Sequence, residues 1–168
     1  VVLEDIMIIT KNGYGLRFNI EEVPVVGAKA AGVKAINLKD GDQVAAAFKS
    51  TTPSMYILTQ RGSLKRMLQD DIPVTSRAKR GLQVLRELKN KPHRDFKAGS
   101  VFTDQGDFDL FTSQEEVAEQ DQILQITSTT GQVTEVDLTQ LSISERTSNG
   151  SFVNDTISDQ EVFSATIK

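Results

Sequence analysis

The segment SRAKRGLQVLRELKNKPHR, residues 76–94, places Arg77, Lys79, Arg80, Arg86, Lys89, Lys91 and Arg94 in nineteen positions. Guanidinium and ammonium groups donate to phosphate oxygens without reading base identity, so the chemistry they suggest is polyanion binding. Groups suited to other chemistry are sparse. Asp104, Asp107 and Asp109 are spaced to hold magnesium in a phosphoryl-transfer or nuclease site, but strand alternation in a hairpin around Gly106 accounts for the same spacing. GYG at 13–15 lacks the lysine and the Ser or Thr of a phosphate-cradling loop. The chain has no cysteine and one histidine, His93, which excludes disulfides, thiolate metal centres and His-rich metal sites and suits a reducing compartment.

The net charge of −4 conceals a segregation. Residues 1–60 balance at 0, residues 61–97 carry +7 and residues 98–168 carry −11. A polyanion would dock on the middle of such a chain and be repelled by its end. At 168 residues, 38% hydrophobic and 25% charged, there is enough apolar material for one compact domain or a few small repeats. No apolar run is long enough to cross a bilayer, and the start VVLEDIMIIT, with neither a basic leader nor Met, reads as that of a fragment.

The elements that position these groups are set by an internal repeat. A shift of 49 lays ITKNGYGLRFNIEEVPV over LTQRGSLKRMLQDDIPV, matching Thr10 to Thr59, Gly13 to Gly62, Arg17 to Arg66 and, further on, Gly32 to Gly81. A further shift of 69 reaches a third copy, with Gly131, Arg146 and Gly150 at the places of Gly62, Arg77 and Gly81. DIMIIT, SMYILT and QILQIT are short, branched and apolar, and each precedes a Gly-containing turn and another strand-like run. The expected architecture is all-β, a propeller-like pinwheel of four-stranded blades with about three repeats in an open wheel. The repeats are placed at 1–50, 51–118 and 119–168, the second with an inserted hairpin near 98–112 and the third degenerate and acidic.

Two signals conflict in the basic segment. Ala78, Leu82, Leu85 and Leu88 have helical spacing, whereas Gly81 occupies the place of Gly32, after which the repeat predicts a strand over 81–88. The repeat takes precedence because tertiary context overrides local propensity.

The pattern Asp5, Thr10, Gly13, Arg17, Glu22, Gly27, Gly32-Val33, Leu38 and Asp42 resembles the blade repeat of the C-terminal domain of bacterial type II topoisomerase A subunits, the family of gyrase A and of the topoisomerase IV A subunit (ParC). SRAKRGLQVLRELKNKPHR is most similar to the topoisomerase IV A subunit of Gram-positive bacteria. The resemblance implies a pinwheel whose blades exchange strands and whose basic rim bends duplex DNA without sequence preference. On the same resemblance the domain would serve a catalytic core that decatenates and relaxes DNA with ATP and magnesium through the B subunit. It further implies a bacterial cytoplasmic, chromosome-associated location, with peripheral membrane contact left open. No active site, cofactor, small-molecule ligand or transmembrane segment is expected in this chain. The QRRGGKG box of gyrase A is absent; SRAKRGL stands in its place, which argues against full wrapping of DNA.

The expected DNA-binding set is Arg17, Lys29, Arg61, Lys65, Arg66, Arg77, Lys79, Arg80, Arg86, Lys89, Lys91 and Arg94. Arg17 and Arg66 have a structural alternative as partners of Glu22 and Asp71. Glu135 replaces this arginine in the third copy, so that copy is expected not to touch DNA, and charge removal at Arg77, Lys79 and Arg80 is expected to matter more than at Arg146. Tyr14 and Tyr56 lack the Arg-Tyr-Thr context of the topoisomerase nucleophile and are expected to pack against their blades. The competing reading is a propeller-like module whose basic rim binds an acidic protein.

Overall fold

The computed structural model describes residues 4–50, 53–60, 62–86, 98–103, 123–153 and 162–167. Three β-sheets account for it, and among the described residues no helix is long and apolar enough to cross a membrane.

The first sheet begins with β1 (Asp5–Thr10) and β2 (Tyr14–Asn19), an antiparallel hairpin, with β3 (Val44–Lys49) on the other side of β1. Its outer edge comes from the next repeat. β6 (Val74–Thr75) pairs parallel to β2 through Arg17 and Phe18, and β7 (Leu82–Gln83) pairs antiparallel through Tyr14 and Gly15.

The second sheet repeats the scheme with β4 (Ser54–Thr59), β5 (Ser63–Leu68), β8 (Ala98–Thr103) and β11 (Ser151–Phe152) in the order β11-β5-β4-β8. An isolated parallel bridge from Arg66 to Ile143 stands where Arg17 meets Val74. The third sheet is β9 (Ile123–Ser128) flanked by β10 (Val133–Asp137) and β12 (Val162–Ile167). The expected blades with exchanged strands are therefore present, and among the described residues the strands of each sheet are interrupted in sequence by strands of a neighbouring one.

Each hairpin turn is closed by a hydroxyl. Thr10, Thr59 and Ser128 accept the N–H of Tyr14, Ser63 and Gln132 at 3.1, 3.0 and 3.1 Å, across Gly13, Gly62 and Gly131, all at φ between 84° and 87°. Alternation then sorts the central strands, which are buried on both faces. Met7, Ile9, Met55 and Ile57 fill the space between blades one and two, while Tyr56 and Leu58 turn to Leu124, Ile126 and Leu138 of blade three.

The basic segment follows the repeat rather than the helical spacing. Ala78 at φ 66° and Gly81 at φ 91° interrupt any right-handed helix, and Val84 and Leu85 are buried with both amides donating to the Gly13 carbonyl. The strand predicted over 81–88 is limited to Leu82–Gln83, and residues 87–97 lie outside the described residues. The hairpin expected near 98–112 is described only in its first half, which is β8, paired with β4 as β3 is with β1.

Candidate nucleic-acid interface

Four of the expected DNA-binding cations are engaged inside the protein. Arg17, on β2, is 14% exposed and bridges Asp5 at 3.2 Å on its own blade and Asp70 at 3.0 Å on the exchanged segment. Arg66, the same residue one repeat later, donates to Ser54 Oγ and to the Leu141 carbonyl, both at 3.2 Å, with its guanidinium 5.9 Å over the Tyr56 ring. Both arginines staple a blade to the strand it borrows. Neither has the predicted partner, since Asp5 and Asp70 replace Glu22 for Arg17, and a hydroxyl and a carbonyl replace Asp71 for Arg66.

The Asp5 pair is largely removed from water, where losing one partner strands the other's charge, whereas Asp70 is 89% exposed and its pair is worth little. Arg17→Met is expected to cost about 2–3 kcal/mol in urea unfolding, and Asp70→Asn less than about 1 kcal/mol. Equal costs would contradict this assignment.

Arg77 is also structural. Its Nε donates to the Glu22 carbonyl at 3.1 Å, one terminal nitrogen donates to the Lys34 carbonyl, and its own N–H donates to the Glu22 carboxylate at 3.2 Å. Arg146, one repeat on, makes the matching bond to the Gln83 carbonyl at 2.6 Å. Arg77 and Arg146 thus share a structural task, clasping the preceding repeat.

Lys65 is 1% exposed and its ammonium donates to the carbonyls of Arg146 at 2.6 Å, Ser148 at 2.7 Å and Val84. Burial, reinforced by the Arg146 charge and opposed by Asp71, lowers its pKa from 10.5 to about 7. Its counterpart on β2 is Leu16, also buried, so the repeat puts this cation at an apolar position.

The remaining described candidates are exposed. Lys79 and Arg80 lie between β6 and β7, at a cavity of about 360 Å³ floored by Leu16, Ile72 and Thr75. Lys29 occupies the equivalent loop of the first repeat, and Arg86 follows β7. In the third repeat, Ser148 and Asn149 replace Lys79 and Arg80. Arg61, Lys89, Lys91 and Arg94 lie outside the described residues, as do Asp104, Asp107 and Asp109; no cluster of three metal-binding groups occurs among those described. Sequence reasoning passed over Lys34 and Lys39, exposed on the first repeat's outer segment, where Lys39 donates to the Tyr14 hydroxyl at 2.8 Å. The signal was available, since both lie in the segment whose second-repeat counterpart was singled out. Tyr56 is buried in the core as expected.

This arrangement has known relatives. The model of the DNA gyrase C-terminal domain family, a β-propeller, matches residues 4–51 and 54–94. The A subunit of DNA topoisomerase 4 from Streptococcus pyogenes serotype M3 is 60% identical over 167 residues, 98% of this chain and 20% of that protein. The Streptococcus pneumoniae serotype 4 protein of the same name is 58% identical over 165 residues, covering the same shares. The chain thus spans about a fifth of the length of these curated relatives. A crystal structure of the C-terminal domain of DNA topoisomerase IV superposes with a TM-score of 0.77 at 30% identity, over 98% of this chain and 46% of that one. The E. coli ParC C-terminal domain shares the fold, with a TM-score of 0.69 at 10% identity, over 98% of this chain and 62% of that one. The strand-exchanged blades and these likenesses agree, and the chain belongs to the C-terminal domain family of bacterial type II topoisomerase A subunits, on its topoisomerase IV branch.

Proposed function

We propose that this domain binds and bends duplex DNA without reading its sequence, as the accessory C-terminal domain of the topoisomerase IV A subunit. The observation that carries this reading is that one outer loop recurs in successive repeats and bears exposed cations in the first two, Lys29 and then Lys79 with Arg80. Arg86 extends the set beyond β7. On this reading the equivalent loops supply phosphate contacts spaced along a bent duplex. In the third repeat this loop has its Arg146 bound to a carbonyl and no other cation, so the positive track ends there.

In the parent enzyme the bent segment would be delivered to a catalytic core that, with ATP and magnesium used through the B subunit, decatenates chromosomes and relaxes supercoils. The place of action on this reading is the bacterial cytoplasm, on the chromosome.

Counterion release sets the test. With about six phosphates contacted, raising salt from about 50 to 200 mM is expected to weaken duplex binding roughly a thousandfold. The double variant Lys79→Ala, Arg80→Ala is expected to lower the slope of log affinity against log salt by about 2. Affinity that hardly changes with salt, or complete loss of DNA to an acidic protein competitor at equal charge, would overturn the reading.

A further inference from the structure

We propose that Asn149 is a positioning residue for Arg86, through which the acidic third repeat shapes the DNA track without touching DNA; the inference rests on the DNA-binding reading above. The Asn149 carboxamide faces the backbone of Arg86 squarely. Its Oδ1 accepts the Arg86 N–H at 2.6 Å and its Nδ2 donates to the Arg86 carbonyl at 2.7 Å. One donor and one acceptor offered to one residue reproduce a β-bridge with a side chain, and fix the backbone from which the exposed Arg86 side chain leaves.

The loop carrying Asn149 is itself anchored. Lys65 holds its Arg146 and Ser148 carbonyls, Ser63 Oγ donates to the Asn149 carbonyl, and Arg146 reaches the Gln83 carbonyl at 2.6 Å. The third-repeat loop therefore grips the segment 83–86 at Gln83 and at both backbone groups of Arg86, and Lys65 ties it to Val84.

The preceding joint provides an internal comparison. There the counterpart of Asn149 is Arg80 and the counterpart of Arg86 is Asn37, whose N–H is taken by the Lys79 carbonyl at 2.9 Å. There Arg77 clasps the Lys34 carbonyl as Arg146 clasps that of Gln83, but the Asn37 N–H is met by backbone rather than by the Arg80 side chain, which stays exposed. At the next joint the cation sits on the gripped segment and the gripping loop carries an amide instead. Holding the root of a long, rotamer-rich side chain reduces what must be ordered when it meets a phosphate.

The test is a double-mutant cycle on the full chain, read as affinity for a duplex at fixed salt. Asn149→Ala changes no charge, yet is expected to weaken binding about 3- to 10-fold and to lower the salt slope by about 1, as if one phosphate contact were lost. Arg86→Ala is expected to weaken binding comparably, and the double variant to bind no worse than Arg86→Ala. Amide exchange at Arg86 in the free chain is expected to rise at least tenfold in Asn149→Ala, and Asn149→Asp, which keeps the acceptor only, to fall between the two proteins. An Asn149→Ala effect that persists undiminished in the Arg86→Ala background, or a full Arg86→Ala effect with none from Asn149→Ala, overturns the inference while leaving DNA binding intact. Salt-independent binding by the unmodified chain overturns the DNA reading instead.

Discussion

Gly81→Ala is expected to lower stability by about 3–5 kcal/mol, whereas Gly32→Ala, the same change one repeat earlier, is expected to cost no more than about 1–2 kcal/mol. Both glycines have left-handed backbones, at φ 91° and 87°, so both substitutions carry a strain of about 1–2 kcal/mol. The difference lies in the surroundings. A Cβ on Gly81 would sit far inside contact with the Gly15 carbonyl group of β2, while one on Gly32 meets nothing within 4 Å among the described residues. The obstruction at Gly81 is backbone of a central ladder and cannot rotate away, so the added carbon pushes β7 off the blade it completes. Gly150 stands against the Leu64 carbonyl in the same way and is expected to behave like Gly81. Urea unfolding of the three variants decides the matter, and equal losses at Gly32 and Gly81 would show that close approach at the exchanged strand is not what the glycine serves.

A second large effect is expected in the pH dependence of stability. Lys65 has a folded pKa of about 7 against an ordinary value of 10.5. Below pH 7 the lysine is charged in both states and the cost of burying the ammonium is fully present. Between about 7 and 10 the folded protein releases a proton that the unfolded chain keeps, so unfolding takes up a proton and stability rises with pH. At about 1.4 kcal/mol per unit, the whole window is worth on the order of 5 kcal/mol at most. Lys65→Met is expected to remove this rise, because the unionisable side chain has nothing to titrate. At pH 6.5 it is also expected to cost about 2–3 kcal/mol, since three carbonyls lose their donor. Unfolding free energies of the two proteins from about pH 6.5 to 9.5 provide the check. Parallel profiles would assign the pH dependence to other groups.

Much of the fold was legible because a repeat reports on tertiary structure that short windows do not contain. The 49- and 69-residue shifts place β6, β7 and β11 in register with the blades that receive them. The helical spacing of Ala78, Leu82 and Leu85, set aside in favour of the repeat, fails for a physical reason, since two left-handed residues in that stretch send Leu82 to a half-exposed edge and Leu85 into the core. The candidate site was less legible. Recurrence of Arg17 as Arg66 marks a need common to the copies, and that need is to hold a borrowed strand. For Arg17 the acidic residues Asp5 and Asp70 were the available clue, whereas Arg66 has Ser54 at the place of Asp5 and carried no such signal. Lys65 was legible in principle, because alignment with Leu16 assigns it an inward-facing position. Which carbonyls would receive its ammonium was not, since two of them belong to a loop more than eighty residues away.

The exchange of outer strands also governs how the molecule can be divided. A break after residue 50 would leave β2 with a bare margin, and a break after residue 86 would keep the first sheet whole but leave the β4–β5 hairpin without β8 and β11. Among the described residues no cleavage point separates finished sheets. Such a chain gains or loses a unit only by remaking two neighbours at once, so proteolysis at either place exposes adhesive edges rather than freeing an intact piece.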